Sequence, residues 1–445
     1  MKKTFKIGGV HPHDNKISSA AATEIFPAIG TAYVSMAQHL GAPATPVVAA
    51  GDKVKVGQVI AEPSGFISGF VHSPVSGTVK SVAPRADIAG NMVMHVEITV
   101  EGDEWMEDID RSDKIVKDIP YSPQEIIDKV KKAGVVGLGG ASFPTHVKLA
   151  PPKDKKAECL ILNGTECEPY LTSDDRIMRE RPEEILIGGA IMMKALGVDR
   201  GYVGIEENKP DAIASMTKAA AAFPQIQVVV LKKRYPQGGE KQLIDAVIGR
   251  QVPSGALPID TGAVVQNVGT SLAVYEAVQK NKPLIDNVIT VTGRCLPVQH
   301  NYKVRIGTPM SKILEVAGGL PENAAKVISG GPMMGRAIAN LDAATVKANG
   351  AILVLTAEET RRGPESACIR CSKCAQACPM GLEPWLLNKL SRAGGRYDEL
   401  EQERVFDCIE CGCCSFTCPA GIPLLDMIRI SKAEVMKIIR SRVKK

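Results

Sequence analysis

No run in this 445-residue chain approaches the roughly 18 uncharged apolar residues that a membrane-crossing helix needs, so nothing in it is expected to span a bilayer by itself. No export signal is expected either. Met1-Lys2-Lys3 begins like one, but Thr4–Val10 is too short and too broken by glycine to be its apolar segment, and the chain reads as cytoplasmic. Excess charge of one sign is small: 54 Lys and Arg against 49 Asp and Glu leave +5, with aromatics at 4%, which gives no argument for a nucleic-acid partner. Among only seven histidines no hydrolytic triad and no catalytic pair stands out; His11, His13 and His72 lie near glycine-rich loops and read as surface or turn residues. What remains is an ordinary globular composition, 44% hydrophobic, long enough for two to four domains.

Cysteine is the informative residue. Eight of twelve fall in two runs, Cys368, Cys371, Cys374, Cys378 and Cys408, Cys411, Cys414, Cys418. Each reads C-x2-C-x2-C-x3-C-P, with Pro379 and Pro419 last and the starts 40 residues apart. Clustered thiols in a reduced chain point to metal rather than to disulfides. Three closely spaced thiolates can cap one face of an iron–sulfur cube, and in two-cluster ferredoxins the last cysteine of each run serves the other cluster. The expected ligand sets are therefore Cys368, Cys371, Cys374 and Cys418 for one 4Fe-4S cluster, and Cys408, Cys411, Cys414 and Cys378 for the second. Four-cysteine zinc sites also use C-x2-C pairs, but take two ligands per knuckle. Cys413, next to Cys414, could shift one ligand by a residue; the spacing and the match to the first run favour Cys414. Cys159, Cys167 and Cys295 are isolated and read as ordinary buried thiols.

The segment from Ala44 to Val82 breaks into short β-type runs between turns. Its phrases GDKVKVGQVIA (51–61) and HSPVSGTV (72–79) resemble the barrel-sandwich fold of biotinyl and lipoyl domains. Those domains carry a modified lysine between such phrases, whereas Glu62–Val71 has none, which leaves a structural or docking role. Residues 101–120 are an acidic connector. Beyond them strand candidates (Cys159–Asn163, Gly201–Ile205, Ile226–Leu231, Ala263–Val268) alternate with helix candidates (Pro182–Leu196, Pro210–Ala222, Glu240–Ile248, Ser271–Lys280), predicting an α/β layer with a parallel sheet. Asn287–Ala339 looks like a smaller α+β unit, and after Ile352–Leu355 the chain turns helical around the cysteines. The tail from Leu424 reads as an amphipathic helix ending in Arg440-Ser441-Arg442-Val443-Lys444-Lys445. It either meets anionic lipid or an acidic partner, or packs on the cysteine region; its apolar stripe favours packing.

Ala133–Lys148 reads AGVVGLGGASFPTHVK. Glycines at 137, 139 and 140 would let backbone amides approach a phosphate or a flat ring, although a tight loop alone could explain them. Three further phrases keep it company: NGTECEPY from Asn163, YPQGGE from Tyr235 and VQNVGT from Val265. The last two fall at strand-to-helix junctions, where open α/β sheets bind ligands.

GLGGASFPTHVK, NGTECEPY, YPQGGE and QNVGT resemble, in order, the flavin-site phrases of the NADH-oxidising subunit of respiratory complex I. With the biotinyl-like module and two ferredoxin runs added, nearly the whole chain resembles the RnfC subunit of the Rnf complexes, membrane-bound ferredoxin:NAD oxidoreductases. VTGRCLPVQHNYKVRIGTPMSKILE resembles that family's soluble-ligand-binding β-grasp domain. The resemblance implies a multidomain α/β protein. Its parts are an N-terminal region (1–110) with the barrel-sandwich at about 44–82, a Rossmann-like FMN/NADH domain (111–286), a β-grasp domain (287–345), a helical ferredoxin-like domain with two 4Fe-4S clusters (358–430) and a basic helical tail (431–445). It implies FMN on Gly137, Gly139, Gly140 and Lys148, with Asn163, Glu166 and Asn267 around ring and chain and Thr270 at the phosphate end. Phe143, Glu168 and Glu240 would face NADH, and Tyr235 and Gly238 of the YPQGGE phrase join the cofactor-binding set. Two positions depart from the complex I pattern: Gly239 replaces an acidic residue, and Pro151 stands where an aromatic usually grips the nucleotide.

The expected function is that of a peripheral subunit on the cytoplasmic side of the inner membrane, with NAD(H) as substrate. Its partners would be membrane-embedded and iron–sulfur Rnf subunits, and ferredoxin indirectly. Nicotinamide moves electrons in pairs and a cluster moves them singly, so a flavin must lie between. The rival is an iron–sulfur adaptor without a working nucleotide site. A subunit of the sodium-pumping NADH:quinone reductase would lack both cysteine runs, and the NADH module of a bifurcating hydrogenase or formate dehydrogenase would lack the biotinyl-like opening.

Overall fold

The computed structural model describes residues 2–443. The first strands in the chain are β1 (Thr23–Ile25), β2 (Thr31–Ser35), β3 (Thr45–Pro46), β4 (Lys53–Val54), β5 (Val59–Glu62), β6 (Val71–His72), β7 (Gly77–Ala86) and β8 (Met92–Val100). They make two facing sheets, ordered β2-β8-β7-β4 and β3-β5-β6, while β1 leaves for a sheet built later. Alternating residues Ala32 and Val34 of β2 and Val96 and Ile98 of β8 are wholly buried between the sheets with Ile60 and Val79. Burying each of the larger side chains is worth about 1.5–3 kcal/mol. This module therefore reaches from Thr31 to Val100, wider than the expected 44–82. Turn density marked only its middle, and the longer flanking strands carry few turn signals. His72 is also no surface residue: it is buried on β6, and burial pushes its imidazole down to about 3.

The second unit holds β9 (Cys159–Asn163), β10 (Gly201–Glu206), β11 (Ile226–Leu231) and β12 (Ala263–Asn267), all parallel, in the order β11-β10-β9-β12. Helices Pro182–Leu196, Pro210–Ala220, Glu240–Ile248 and Val268–Gln279 cover its faces. The last begins three residues before the expected Ser271, and Val268 belongs to it rather than to β12. Asn267 ends the strand and caps the helix at once, its side chain accepting from Gly269 N, so no loop intervenes.

The third unit adds β13 (Asp286–Thr292), β14 (His300–Arg305), β15 (Ala324–Ser329), β16 (Arg336–Ala337) and β17 (Ala351–Thr356) in a six-stranded sheet ordered β1-β14-β13-β17-β15-β16. The expected boundary at 345 cuts off β17, which lies inside the sheet, parallel to β13 and antiparallel to β15. Its AILVL run is buried, as an interior strand requires. Lys347, just before β17, is buried and ties three units together: its Nζ donates to Phe70 O at 2.9 Å and to Gly134 O at 2.7 Å.

The cysteine region is built of short helices, and the repeat seen in sequence is present in the backbone. Helix Lys373–Ala377 follows Ser372 at φ 58°, and helix Cys413–Thr417 follows Gly412 at φ 78°. Arg370 and Glu410, 40 residues apart, sit at φ 54° and 57°. The last helix, Leu424–Val443, is one piece, so the expected division at 430 falls inside it. Ile428 and Val435 are buried against Leu387 and Leu400, with Ile439 packed beside them. Arg442 donates to Glu401 at 2.7 Å and to Asp398 at 3.3 Å, which favours the packed reading of this tail. Lys444 and Lys445 lie outside the described residues. Among the described residues no helix is long and apolar enough to cross a membrane.

Residues 2–26 thread between these units. Lys3 bridges to Leu231, Val10 pairs with Tyr235, and Gly9 N donates to Ala377 O at 2.9 Å. The Lys16 ammonium donates to the carbonyls of Glu166, Glu168 and Leu171 before β1 joins β14.

Candidate functional site

The parallel sheet reverses its build direction between β9 and β12: the chain runs from β9 to β10 and β11 on one side, then returns to place β12 on the other. That is the position where such sheets open a crevice at the carboxyl ends of their strands. Asn163 and Asn267 end the two strands in register. The glycine loop lies over them. A Cβ on Gly139 would stand 3.0 Å from Asn267, while Gly140 faces open space. The loop closes on itself through Gly137 N to Phe143 O at 2.9 Å, and Leu138 N donates to Thr270 Oγ1 at 2.9 Å.

Side chains around the crevice are tightly specified. Asn163 Nδ2 donates to Gly238 O at 2.9 Å, and its Oδ1 accepts from the Thr165 hydroxyl at 2.6 Å. Gly238 admits no side chain, since a Cβ there would meet Thr165 Oγ1 at 2.4 Å. Lys148 Nζ reaches Val265 O at 3.1 Å and forms an ion pair with Glu240 at 2.7 Å, both half-exposed. Gly137, Gly139, Gly140, Phe143, Lys148, Asn163, Gly238, Glu240, Asn267 and Thr270 are thus gathered around one crevice.

Three expected cofactor residues face elsewhere. Glu166 is turned under the helix Ser173–Glu180, its carboxylate accepting from Asp174 N at 2.7 Å and Asp175 N at 3.3 Å. It serves the helix N-terminus, where a negative charge is favourable. Glu168 is turned to the third unit, half-buried, and accepts from Met333 N at 3.1 Å and Met334 N at 2.7 Å. Burial pushes its carboxyl up to about 7 against the pull of those amides. Tyr235 is 2% exposed, and its hydroxyl donates to Cys411 O at 2.9 Å.

Sequence reading missed Asp174, whose carboxylate accepts from Asn267 Nδ2 at 2.7 Å. Burial, and then the charge of Glu166, push Asp174 up to about 7. The available signal was the Asp174-Asp175 pair opening a helix soon after the NGTECEPY phrase. Ser142 was missed as well; its carbonyl accepts Leu40 N at 3.2 Å and brings the barrel-sandwich to the rim of the glycine loop.

Cys378, Cys408, Cys411, Cys413 and Cys414 line one pocket walled by Leu382, Leu387 and Ile428. Burial pushes Cys408 up to about 11 and Cys414 to about 12, so their thiolates call for a compensating cation. Among the described residues no group of three or more His, Cys, Asp or Glu forms a single-ion site. These thiols stand around a space, and the four that the run spacing selects, Cys378, Cys408, Cys411 and Cys414, suit a cube with one iron per corner. Of the other expected set, Cys374 and Cys418 pack beside Cys414 and Leu425, and Cys368 and Cys371 lie exposed on the preceding loop. Cys413 is fully buried with its Sγ 3.9 Å from Tyr235 O. A depression on the second unit, lined by Lys155, Arg250 and Asp260, lies at the opposite, amino end of the sheet, where Lys155–Asp260 and Arg250–Glu158 already pair.

Comparison with known proteins agrees with this layout. Residues 3–104 match the RnfC barrel sandwich hybrid domain, 130–276 the Nuo51 FMN-binding domain, 288–337 the SLBB domain and 362–420 the 4Fe-4S dicluster domain. Fold and site together define a flavin- and iron–sulfur-binding electron-transfer protein. The chain is 45% identical over 405 residues to the subunit designated C of the proton-translocating ferredoxin:NAD(+) oxidoreductase complex of Clostridium ljungdahlii, covering 91% of this chain and 87% of the relative. It is 43% identical to the Na(+)-translocating counterpart of Acetobacterium woodii, covering 97% of each. The chain belongs to the RnfC family, the subunits so designated in ion-translocating ferredoxin:NAD(+) oxidoreductase complexes. A chain of the NAD+-reducing [NiFe]-hydrogenase in its H2-reduced state overlaps at TM-score 0.49 and 19% identity, covering 70% of this chain and 62% of that one.

Proposed function

We propose that this chain is the NAD(H)-reacting subunit of such a complex, exchanging hydride with NAD(H) at FMN and relaying single electrons through two 4Fe-4S clusters. The observation that carries this reading is the glycine loop lying over the paired ends of β9 and β12, in one body with a pocket lined by five cysteines. Bound FMN supplies the conversion between electron pairs and single electrons. The chain's own residues hold and orient. The amides of Gly137 and Leu138 close the loop, those of Gly139 and Gly140 carry no Cβ to shield them, and Asn163 and Asn267 fix the crevice floor. Thr270 stands in the first turn of helix Val268–Gln279, whose positive end favours a phosphate, and Lys148 adds a cation at the rim. Cys378, Cys408, Cys411 and Cys414 would hold one cluster, and Cys368, Cys371, Cys374 and Cys418 the other. Glu166, Glu168 and Tyr235 are left out of the flavin contacts.

The subunit would sit peripherally on the cytoplasmic side of the membrane. Membrane-embedded and iron–sulfur subunits would be its partners, with NAD(H) the substrate and ferredoxin reached indirectly. Anaerobically purified chain should contain about eight iron atoms and one FMN, and should reduce ferricyanide with NADH. Two zinc ions and no flavin would overturn the reading. Full cofactor content without turnover would favour the adaptor.

A further inference from the structure

We propose that Tyr235 is a positioning residue for the cluster of Cys378, Cys408, Cys411 and Cys414, tying that cluster's ligand loop directly to the flavin crevice through its hydrogen bond to Cys411. The inference rests on the ligand assignment above and goes beyond it by naming how the two centres are coupled.

Tyr235 stands in the short segment between β11 and helix Glu240–Ile248, and this segment touches both sites. At one end Gly238 O accepts from Asn163 Nδ2 at the crevice floor, 2.9 Å away. At the other, the Tyr235 hydroxyl donates to Cys411 O at 2.9 Å, and its own carbonyl lies 3.9 Å from Cys413 Sγ. The segment is held from behind as well. Val10 N donates to Tyr235 O at 2.8 Å, and Tyr235 N donates to Val10 O at 2.9 Å. The third unit completes the clamp, since Glu168 lies 3.5 Å from the hydroxyl and Gly412 packs on Met333 O.

A buried tyrosine hydroxyl usually finds some partner, and a filled hydrogen bond alone would say little. The choice of partner matters here. Cys411 contributes its carbonyl to this bond and its thiol to the pocket, so the bond draws electron density from the peptide of a ligand residue and fixes that residue's orientation. Outer contacts of this kind orient metal ligands, and hydrogen bonding and burial around a cluster set its potential. The same segment fixes Asn163, so a shift at one site is felt at the other without any intervening loop.

The test replaces Tyr235→Phe in the full chain, prepared without oxygen, and reads iron and FMN content, the electron paramagnetic resonance of both clusters and their midpoint potentials. The expected result is unchanged FMN, a lower potential for one cluster and an unchanged one for the other. The electron-sharing equilibrium between flavin and the affected cluster should shift up to about tenfold, the worth of one buried hydrogen bond. Retention of only half the iron also supports the proposal. Eight irons with both potentials unmoved would overturn it, and so would a variant that does not fold, provided 3-fluorotyrosine at 235 also leaves both potentials unmoved. That stronger donor should raise the potential that phenylalanine lowers. Parent protein without iron would instead sink the ligand assignment.

Discussion

Asn267 stands in register with Asn163 where two parallel strands end, and its amide donates to the Asn163 carbonyl at 3.4 Å and to the Asp174 carboxylate at 2.7 Å. One side chain therefore joins both strands, caps the next helix through Gly269 N at 2.7 Å and floors the glycine loop.

Asn267→Ala removes all of these contacts. Loss of the cap should cost about 1 kcal/mol, and the buried Asp174 carboxylate loses its amide donor. The variant is expected to melt lower and to lose flavin on gel filtration. Yellow protein of parental stability would show that the crevice floor is placed elsewhere.

Gly238→Ala would set a Cβ 2.4 Å from Thr165 Oγ1 and 3.1 Å from Cys167 Sγ. Forcing a methyl into such a space costs about 1–3 kcal/mol. A urea midpoint equal to that of the parent would mean the loop yields freely, and the tightness described here would be wrong.

Cys413 and Cys414 should part company on substitution. Cys414→Ser is expected to halve the iron content: both cysteines line the pocket with Cys378, Cys408 and Cys411, but only Cys414 keeps the two-residue spacing from Cys411 that the first run repeats. Cys413→Ser leaves Cys414 and those three thiols in place and should keep the full complement. Iron counts in the reverse order would shift the ligand by one residue.

Glu168 gives the stability a definite pH slope. Its carboxyl is raised by burial from the ordinary 4.5 to about 7. The unfolded chain releases this proton near pH 4.5 and the folded protein holds it until about pH 7. The folded state therefore binds more protons across that window, and its contribution to stability falls as pH rises through it, then levels off. The full change is on the order of 3 kcal/mol. Denaturation midpoints of Glu168→Gln between pH 5 and pH 8 should lack this component; a slope identical to the parent's would remove Glu168 from the account.

Much of the second unit could be read from the sequence because buried parallel strands are continuous apolar runs, and CLILN and IQVVVL sit between clear turns. Helix Pro182–Leu196 announced itself by proline at its start and Gly197 just past its end. What escaped depends on partners distant in the chain. Helix Ser173–Glu180 has no side-chain cap at Thr172, and its amides are met by Glu166 from seven residues upstream, which no local pattern marks. β17 fell outside the expected bounds of the third unit because its neighbours β13 and β15 precede it by tens of residues. Tyr235 sits in a phrase shared with flavoproteins, yet its ring is turned by a cysteine 176 positions later. Motifs located the crevice; only the packing of separate units shows which of their residues face it.

The threading of residues 2–26 between units has a consequence for synthesis. Gly9 must find Ala377, and Gly8 lies so near Cys378 that a Cβ would stand 2.4 Å from its carbonyl carbon. This stretch leaves the ribosome well before the cysteine-bearing region and cannot settle until that region has emerged and folded. Maturation of this subunit is therefore closed by residues made hundreds of positions before the ones they dock on.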